Sequence, residues 1–506
     1  MYIKIIGENL IYSKNKFTKL IFLLFILASN LKIKSNSKNE MFISNISSFK
    51  NYNISNDSSL LNKEYIISNL TFKNNNKSYN NSIQFNKKYK FRSFNDLINQ
   101  LNKDSNIRQE KYLIFFDFYT NPYCNDINSY LLFEYYIKNN ETNAYYVINT
   151  GTDLYKELYK KNKTKNLIPI HSYINLFQVI YPYLLNSKIL VNSYIDLNMQ
   201  KIISKVNYLK YLFLTHAIGY FKTKIISEQF IYLNEDKRNI IVSSPYEYDF
   251  YKKKLKYRDK YMHKAGLPRY DKLNLVQKNI SENNCILISF TYRKYPNIIY
   301  NKSLFKKNLE ILLNNTSLIS FLKSKNIDLI YIQHHFDFLR KRPFNPIFFP
   351  YVKYRSQAFL SHYIQQCSLF ITDFSTISFD FMFLNKPVLF YLIDLKDNIN
   401  FEEKEYMKFD KTKDLYFENA FTEQETLIEK LKDYVINDFK LKDELKKKYN
   451  SMFFYKTNIT ERIVQIINYL TLINEENLNM HSFEDISKIQ GINLIQAVTY
   501  IYINYK

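Results

Sequence analysis

Hydrophobic positions are unevenly spaced along the chain, and the spacing changes character near residue 110. From about Ser35 to Asn106 the text is dominated by Asn, Ser and Lys, in runs such as SNSKNE, SNDSS and KNNNKSYNNS, with few periodic apolar positions. A stretch that cannot present an apolar face is expected to form a poorly ordered extension. Beyond Lys111 apolar runs of strand length alternate with stretches of helical spacing. YLIFFDFY, from Tyr112 to Tyr119, is almost continuously apolar, and Ile127 to Lys138 behind it sets Tyr130, Leu131, Phe133 and Glu134 at helical intervals. AYYVINT, DLYKELYKKN, KILVNSYID, YLKYLFLTHAIG and NIIVSSPYEYDFYKKKL continue the alternation. Short buried strands between helices predict a parallel sheet covered on both faces.

A second series starts after Pro268. It runs through NCILISFTYR, a helix from about Leu304 to Lys323, IDLIYIQHH, a helix around Ser356 to Cys367, SLFITDFST, a helix to Leu384, and PVLFYLID. The pattern predicts an α/β protein of two doubly wound lobes meeting near residue 275. Its expected divisions are an extension over 1–110, lobes over 111–275 and 276–470, and a helical tail over 471–506. Such lobes bind ligands between them at the carboxyl ends of their strands, which is where candidate residues belong.

Composition narrows the chemistry. With 71 Lys and Arg against 47 Asp and Glu, the net charge of +24 favours an anionic partner: nucleic acid, a phospholipid surface or a phosphate-rich substrate. The heavy use of Asn, Lys, Ile, Tyr and Phe throughout weakens that argument, since Lys is abundant by default. The five glycines (Gly7, Gly151, Gly219, Gly266 and Gly491) exclude a Gly-x-Gly-x-x-Gly fingerprint and a Walker loop, so a phosphate site here works without either. Cys124, Cys285 and Cys367, scattered and odd in number, argue against a disulfide framework and a zinc site and suit a reducing compartment. Near the start, Lys14, Lys16 and Lys19 precede an apolar run from Leu20 to Ala28, the outline of a signal peptide. Lys32 and Lys34 follow directly and the run is too short to span a bilayer, so an interfacial anchor and a buried helix stand as alternatives.

The most informative stretch is Ser368 to Asp394. It reads as a strand to Thr372, a tight turn over Asp373 to Ser375, a helix from Thr376 to Leu384 ended by Asn385-Lys386-Pro387, and a strand from Val388 to Ile393. Ser375 or Thr376 at a helix start would offer backbone N–H groups and hydroxyls to a phosphate; simple capping of the helix is the alternative. His216 ends the strand YLFLT of the first lobe, and His334 and His335 end LIYIQ of the second. Across one cleft these could supply a general base and a phosphate-contacting imidazole, or each could be structural. Thr291-Tyr292-Arg293 closes CILISF, and Gly266 to Asp271 forms the turn joining the lobes. Arg293 and Arg269 there suit an anion at a cleft edge, with pairing to a carboxylate such as Asp271 the plainer reading.

Taken together these segments resemble the CDP-glycerol glycerophosphotransferase family of teichoic acid primases and polymerases. ITDFSTISFDFMFLNKPVLFYLID resembles that family's strand, Asp-Tyr-Ser-Ser, Phe-Asp helix and Lys-Pro. AGLPRYDKL is similar to its Gly-Tyr-Pro-Arg-Asn-Asp turn, SFTYR to its Pro-Thr-Trp-Arg strand end, and FLTHAIG to its His-Gly strand end. FFDFYTNPYCNDINSYLLFEYYIKN is similar to the opening strand and Asn-bearing loop, and FFYKTNITERIVQII to the closing Arg-containing helix. The likeness runs from about Lys111 to Leu470. Three features depart from the family: Ala217-Ile218 follow His216 in place of Gly-Thr, His334-His335 stands for His-Pro, and Tyr292 stands for Trp.

The resemblance implies a GT-B-like fold, two Rossmann-like lobes with an interlobe cleft, the nucleotide-linked donor being held mainly by the second. It implies His216 as catalytic base, His334 or else His335 as the second histidine, and Ser375 and Thr376 as pyrophosphate contacts, with Asp373, Thr291, Arg293 and Arg269 around the donor. The implied partners are CDP-glycerol, a lipid-linked or polymer acceptor and an anionic membrane surface, with no cofactor, no metal and no nucleic acid. The implied place is the cytoplasmic face of the membrane, held peripherally. A GT-B glycosyltransferase using a sugar nucleotide and a nucleic-acid- or polyanion-binding protein are the competing readings.

Overall fold

The computed structural model describes residues 91, 93–116, 128–170, 173–193, 202–206, 208–215, 218, 239–277, 284–293, 297–334, 337, 346–355, 359–394 and 418–472. All of them belong to the second of two compact units, Phe85–Lys506. The apolar run at Leu20 to Ala28, His216, His335 and the tail from residue 473 lie outside the described residues.

Among the described residues the strands form two wholly parallel sheets. The first contains β1 (Tyr112–Phe116), β2 (Ala144–Asn149), β3 (Leu167–Ile170), β4 (Ser187–Asn192), β5 (Lys210–Phe213), β6 (Asn239–Val242) and β7 (Met262–Lys264), in the order β3-β2-β1-β4-β5-β6-β7. The second contains β8 (Cys285–Ile288), β9 (Asp328–Ile332), β10 (Val352–Arg355), β11 (Leu369–Thr372), β12 (Val388–Tyr391) and β13 (Ala420–Phe421), in the order β10-β9-β8-β11-β12-β13. Strand order reverses between β1 and β4 in one sheet and between β8 and β11 in the other. Those are the switch points where open α/β sheets bind ligands.

Continuous apolar runs become central strands because both of their faces are covered. Along β1, Leu113 and Phe115 enter one apolar cluster while Tyr112, Ile114 and Phe116 enter another on the opposite face. In the second sheet Leu287 and Phe370 join the same cluster as Leu113 and Phe115. The two lobes therefore share an apolar core, closed by Leu267, Tyr270 and the helix Ile459–Leu472. That last helix corrects the expected division of the chain: although late in sequence, it packs on the first lobe, and the Lys210 ammonium donates to the Leu470 carbonyl at 2.8 Å. Its first turn is capped by Asp271, which accepts from the Ile459 and Thr460 amides at 3.2 and 2.6 Å. A Cβ on Gly266 would lie 2.9 Å from Ile459 Cδ1, so glycine lets the helix approach without displacing that side chain.

Within the expected extension, Phe94–Lys103 is a helix started by Ser93, and its Leu97, Ile98 and Leu101 are buried in the first lobe's core, so order begins before Lys111. Three further expectations are corrected. The helix read over Leu304 to Lys323 is two helices, Leu304–Leu313 and Thr316–Ser324, separated because the Asn315 side chain accepts from the Leu318 amide and starts the second. The segment Gly266 to Asp271 turns only as far as Leu267, and Pro268 opens the helix Pro268–Gln277, proline being suited to a first helical position. Cys285 and Cys367 form a disulfide with Cα atoms 4.6 Å apart. Neighbouring parallel strands bring them together across 82 residues of sequence, since Cys285 opens β8, Cys367 precedes β11, and the Ser368 amide bonds the Cys285 carbonyl. Lys386, beside the loop that holds Cys367, has its ammonium buried and donates to the carbonyls of Ile364, Gln365 and Cys367, capping the helix Leu360–Gln366.

Candidate active site

At the second switch point the segments leaving β8 and β11 run side by side. The Thr372 hydroxyl donates to the Ser289 carbonyl at 2.7 Å and carries the pairing past the strand ends. Asp373, fully buried, then accepts from the Thr291 amide and hydroxyl at 3.0 and 2.9 Å and from Arg293 Nη1 at 2.7 Å. Arg293, 1% exposed, also binds Asp394 through Nε and Nη2 at 2.7 and 2.8 Å and donates to the Thr291 carbonyl at 2.7 Å. The rings of Phe305 and Phe374 lie 4.5 and 4.9 Å from its guanidinium carbon. Burial works against the positive charge, but Asp394 and Asp373 outweigh it and hold the Arg293 pKa well above the usual arginine value.

In this geometry Thr291, Arg293 and Asp373, the residues expected around the donor, are all engaged with one another. A guanidinium buried this deeply requires anions of the protein's own: both Asp394 oxygens and Asp373 Oδ2 bind it, while Asp373 Oδ1 holds Thr291. The triad braces the turn above it.

That turn carries Ser375 and Thr376. The Ser375 carbonyl accepts from the Ser378 amide and hydroxyl at 3.1 and 2.7 Å, and its own hydroxyl takes the Ile377 amide at 3.4 Å. The helix that follows is Ser378–Phe383, later and shorter than the expected Thr376 to Leu384, and no side chain caps its start. The Thr376 hydroxyl has no hydrogen-bond partner among the described residues. Nearby, His334 follows β9 and its ring stacks on Tyr292, centroids 5.7 Å apart and planes 29° apart. Tyr292, Ser375, Thr376 and His334 therefore share one end of the second sheet.

The first-lobe side of the site begins at the carboxyl end of β5. Thr215, the residue before His216, has φ 59°, a left-handed conformation that a β-branched residue rarely adopts. Its hydroxyl is buried with no partner among the described residues. Its carbonyl accepts from Asn128 Nδ2 at 2.9 Å, and Asn128 Oδ1 accepts from the Arg269 amide at 3.3 Å. The Arg269 guanidinium in turn donates to Asp380 Oδ1 through Nε and Nη2 at 3.1 and 2.8 Å. Arg269 is thus paired across the lobes, with a carboxylate other than Asp271.

The model of the CDP-glycerol:poly(glycerophosphate) glycerophosphotransferase family matches residues 97–469. The chain belongs to this family. It is 24% identical over 358 residues to the minor teichoic acid biosynthesis protein GgaB of Bacillus subtilis (strain 168), a match covering 65% of this chain and 37% of GgaB. It is 26% identical over 247 residues to the teichoic acid glycerol-phosphate primase of the same strain, covering 44% of this chain and 60% of the primase. The chain thus spans less than two thirds of either relative. Among solved structures, the wall teichoic acid polymerase TagF superposes with a TM-score of 0.51 at 14% identity, covering 77% of this chain and 95% of TagF. That likeness shows the fold, which is GT-B-like.

In this family member the polar groups that organise the site include three that sequence reasoning passed over. Asp394 sits at the end of PVLFYLID and reveals itself only as the partner of Arg293. Asp380 is the aspartate of the Phe-Asp helix, and its partner comes from 111 residues earlier. Asn128 lies in the stretch similar to the family's Asn-bearing loop, a signal that does not select it over its neighbours. Among the described residues no group of three or more His, Cys, Asp or Glu side chains could hold a metal ion.

Proposed function

We propose that this family member transfers glycerol phosphate from CDP-glycerol to a hydroxyl of a cell-envelope polymer or lipid-linked acceptor, releasing CMP. The observation that carries the reading is the Ser375–Thr376 turn. It lies at a switch point, offers two hydroxyls in place of a glycine loop, and rests on the Thr291–Arg293–Asp373–Asp394 network. Support for the donor comes from the family match, from the two teichoic acid relatives, and from a TagF structure obtained after a soak with CDPG.

His216 takes the proton of the acceptor hydroxyl as its oxygen attacks the β-phosphorus. The bond from that phosphorus to the bridging oxygen breaks, and CMP leaves carrying the electron pair. Ser375, Thr376 and the second-lobe histidine, His334 or else its neighbour His335, hold the charge on the phosphates. Arg293 and Asp373 act on this step by fixing the turn.

The enzyme works on the cytoplasmic side of the membrane, held to anionic lipid by its basic surface. No helix among the described residues is long and apolar enough to cross a bilayer. Incubating the chain and an acceptor with CDP-glycerol, CDP-ribitol and UDP-sugars, and following nucleotide release, tests the proposal. CMP release from CDP-glycerol is expected; release of UDP from a sugar nucleotide would assign it to glycosyl transfer.

A further inference from the structure

The hydrogen bonds running from Thr215 to Asp380 join two strand ends that no backbone pairing connects. Asn128 is 1% exposed and uses both ends of its amide, Nδ2 on the Thr215 carbonyl of the first lobe and Oδ1 on the Arg269 amide at the start of Pro268–Gln277. Arg269 continues the line into the second lobe through its two bonds to Asp380. Asp380 stands in the first turn of Ser378–Phe383, four residues after Thr376, and the side chains of this ion pair are 14% and 6% exposed. Tyr270, next to Arg269, stacks on Phe383 of the same helix with centroids 4.2 Å apart and planes within 14°.

Thr215 shows that the line carries a load. Left-handed backbone at a β-branched residue costs roughly 1–2 kcal/mol, and glycine or asparagine would adopt it more cheaply. A buried hydroxyl with no partner among the described residues adds to that cost. Strain of this kind persists where surrounding groups over-determine the conformation, and it gathers at functional positions. Here the determining group is Asn128, whose amide satisfies the carbonyl that the left-handed turn redirects.

We propose that Asn128, Arg269 and Asp380 form an interlobe strap of positioning residues that sets the strand end leading into His216 against the Ser375–Thr376 turn. The inference rests on the functional reading above, since it needs His216 and the turn to act on one substrate. The strap touches neither donor nor acceptor. Cutting it leaves the donor site intact and misplaces the base, and a misplacement of about 1 Å costs on the order of a hundredfold in rate.

The test uses the full chain with Asn128→Ala, Arg269→Lys and the double variant. CMP release under saturating CDP-glycerol gives kcat, calorimetry gives donor Kd, and hydrogen exchange follows the amides of Leu214, Thr215 and Phe379. Each single variant is expected to lose kcat by about a hundredfold with donor Kd changed by less than about threefold. The double variant is expected to lose little more than either single one, because both cut the same line. Losses that multiply, an unchanged kcat, or a donor Kd that worsens in step with kcat would overturn the strap. Should Asn128→Ala fail to fold, Arg269→Lys alone decides on the same split between kcat and Kd. Should the unmodified chain release no CMP, the functional reading fails and exchange decides the strap. Faster exchange at both Thr215 and Phe379 in each single variant supports it, and a change confined to the mutated lobe refutes it.

Discussion

At the carboxyl end of β11 the polar groups beneath the turn are matched at short range. Arg293 meets Asp373 and Asp394, Thr291 meets Asp373, and all of these come from one lobe. At the carboxyl end of β5 the order comes from elsewhere: Thr215 is strained, its hydroxyl lacks a partner among the described residues, and its carbonyl is held by Asn128, which leads to Arg269 and the second lobe. The first end is held from within its own lobe, and in the proposed function it supports a phosphate. The second is a strand end whose conformation depends on the lobes being joined, as would suit the base in that proposal.

The largest expected effect breaks the first support. Arg293→Met leaves two carboxylates buried without their cation and should cost about 3–5 kcal/mol of stability, read from denaturant unfolding. A loss below about 1 kcal/mol would mean that water reaches the triad and that the two strand ends differ less than described.

Acid should then separate the lobes. His263 in β7 is buried against Asn239 Oδ1 at 2.9 Å, and burial lowers its pKa from 6.5 to about 4. Its folded pKa lies below its unfolded one, so between these values the unfolded chain binds more protons and stability falls as pH drops from 6.5 towards 4. At pH 5 the penalty is about 2 kcal/mol, and His263→Gln should remove it in unfolding measured at pH 7 and pH 5. An equal loss in that variant would place the acid-sensitive group elsewhere.

A smaller effect sharpens the role of the turn. Thr376→Val keeps the shape and removes the hydroxyl, and should weaken CDP-glycerol binding about tenfold, or 1.4 kcal/mol, in calorimetry with the melting temperature nearly unchanged. Unaltered affinity would leave phosphate contact to the backbone and Ser375. Smallest is the strain at the other end: Thr215→Gly should be more stable than Thr215→Ala by about 1 kcal/mol, the reverse of the usual order, since only glycine relieves a left-handed φ. Equal stabilities would show that the strain is not stored there.

Much of the architecture was legible because it is written locally. The runs YLIFF, CILI, LFIT and VLFY are apolar without alternation, as central parallel strands must be, and each became one. The end of the helix after Ser375 was equally plain, with Asn385 in left-handed backbone before Lys386 and Pro387. What sequence could not reveal is pairing at a distance. Arg293 and Arg269 have the chemistry of anion ligands, and only the fold shows that Asp394 and Asp380, about a hundred residues away, already occupy them. The reading of Cys285 and Cys367 as unpaired failed for the same reason, because adjacency of β8 and β11 is a property of strand order rather than of spacing. The Leu304 to Lys323 region failed differently: a capping asparagine inside an apolar period divides one apparent helix into two.

The most direct test of the account is single-turnover release of CMP from CDP-glycerol by the unmodified chain and by His216→Ala, with donor binding measured in parallel. The account predicts release by the unmodified chain and a loss of about a hundredfold to ten-thousandfold in the variant, with donor affinity retained. Release within about tenfold of the unmodified rate would contradict it, because a general base lost from the strand end after Thr215 could not go unnoticed.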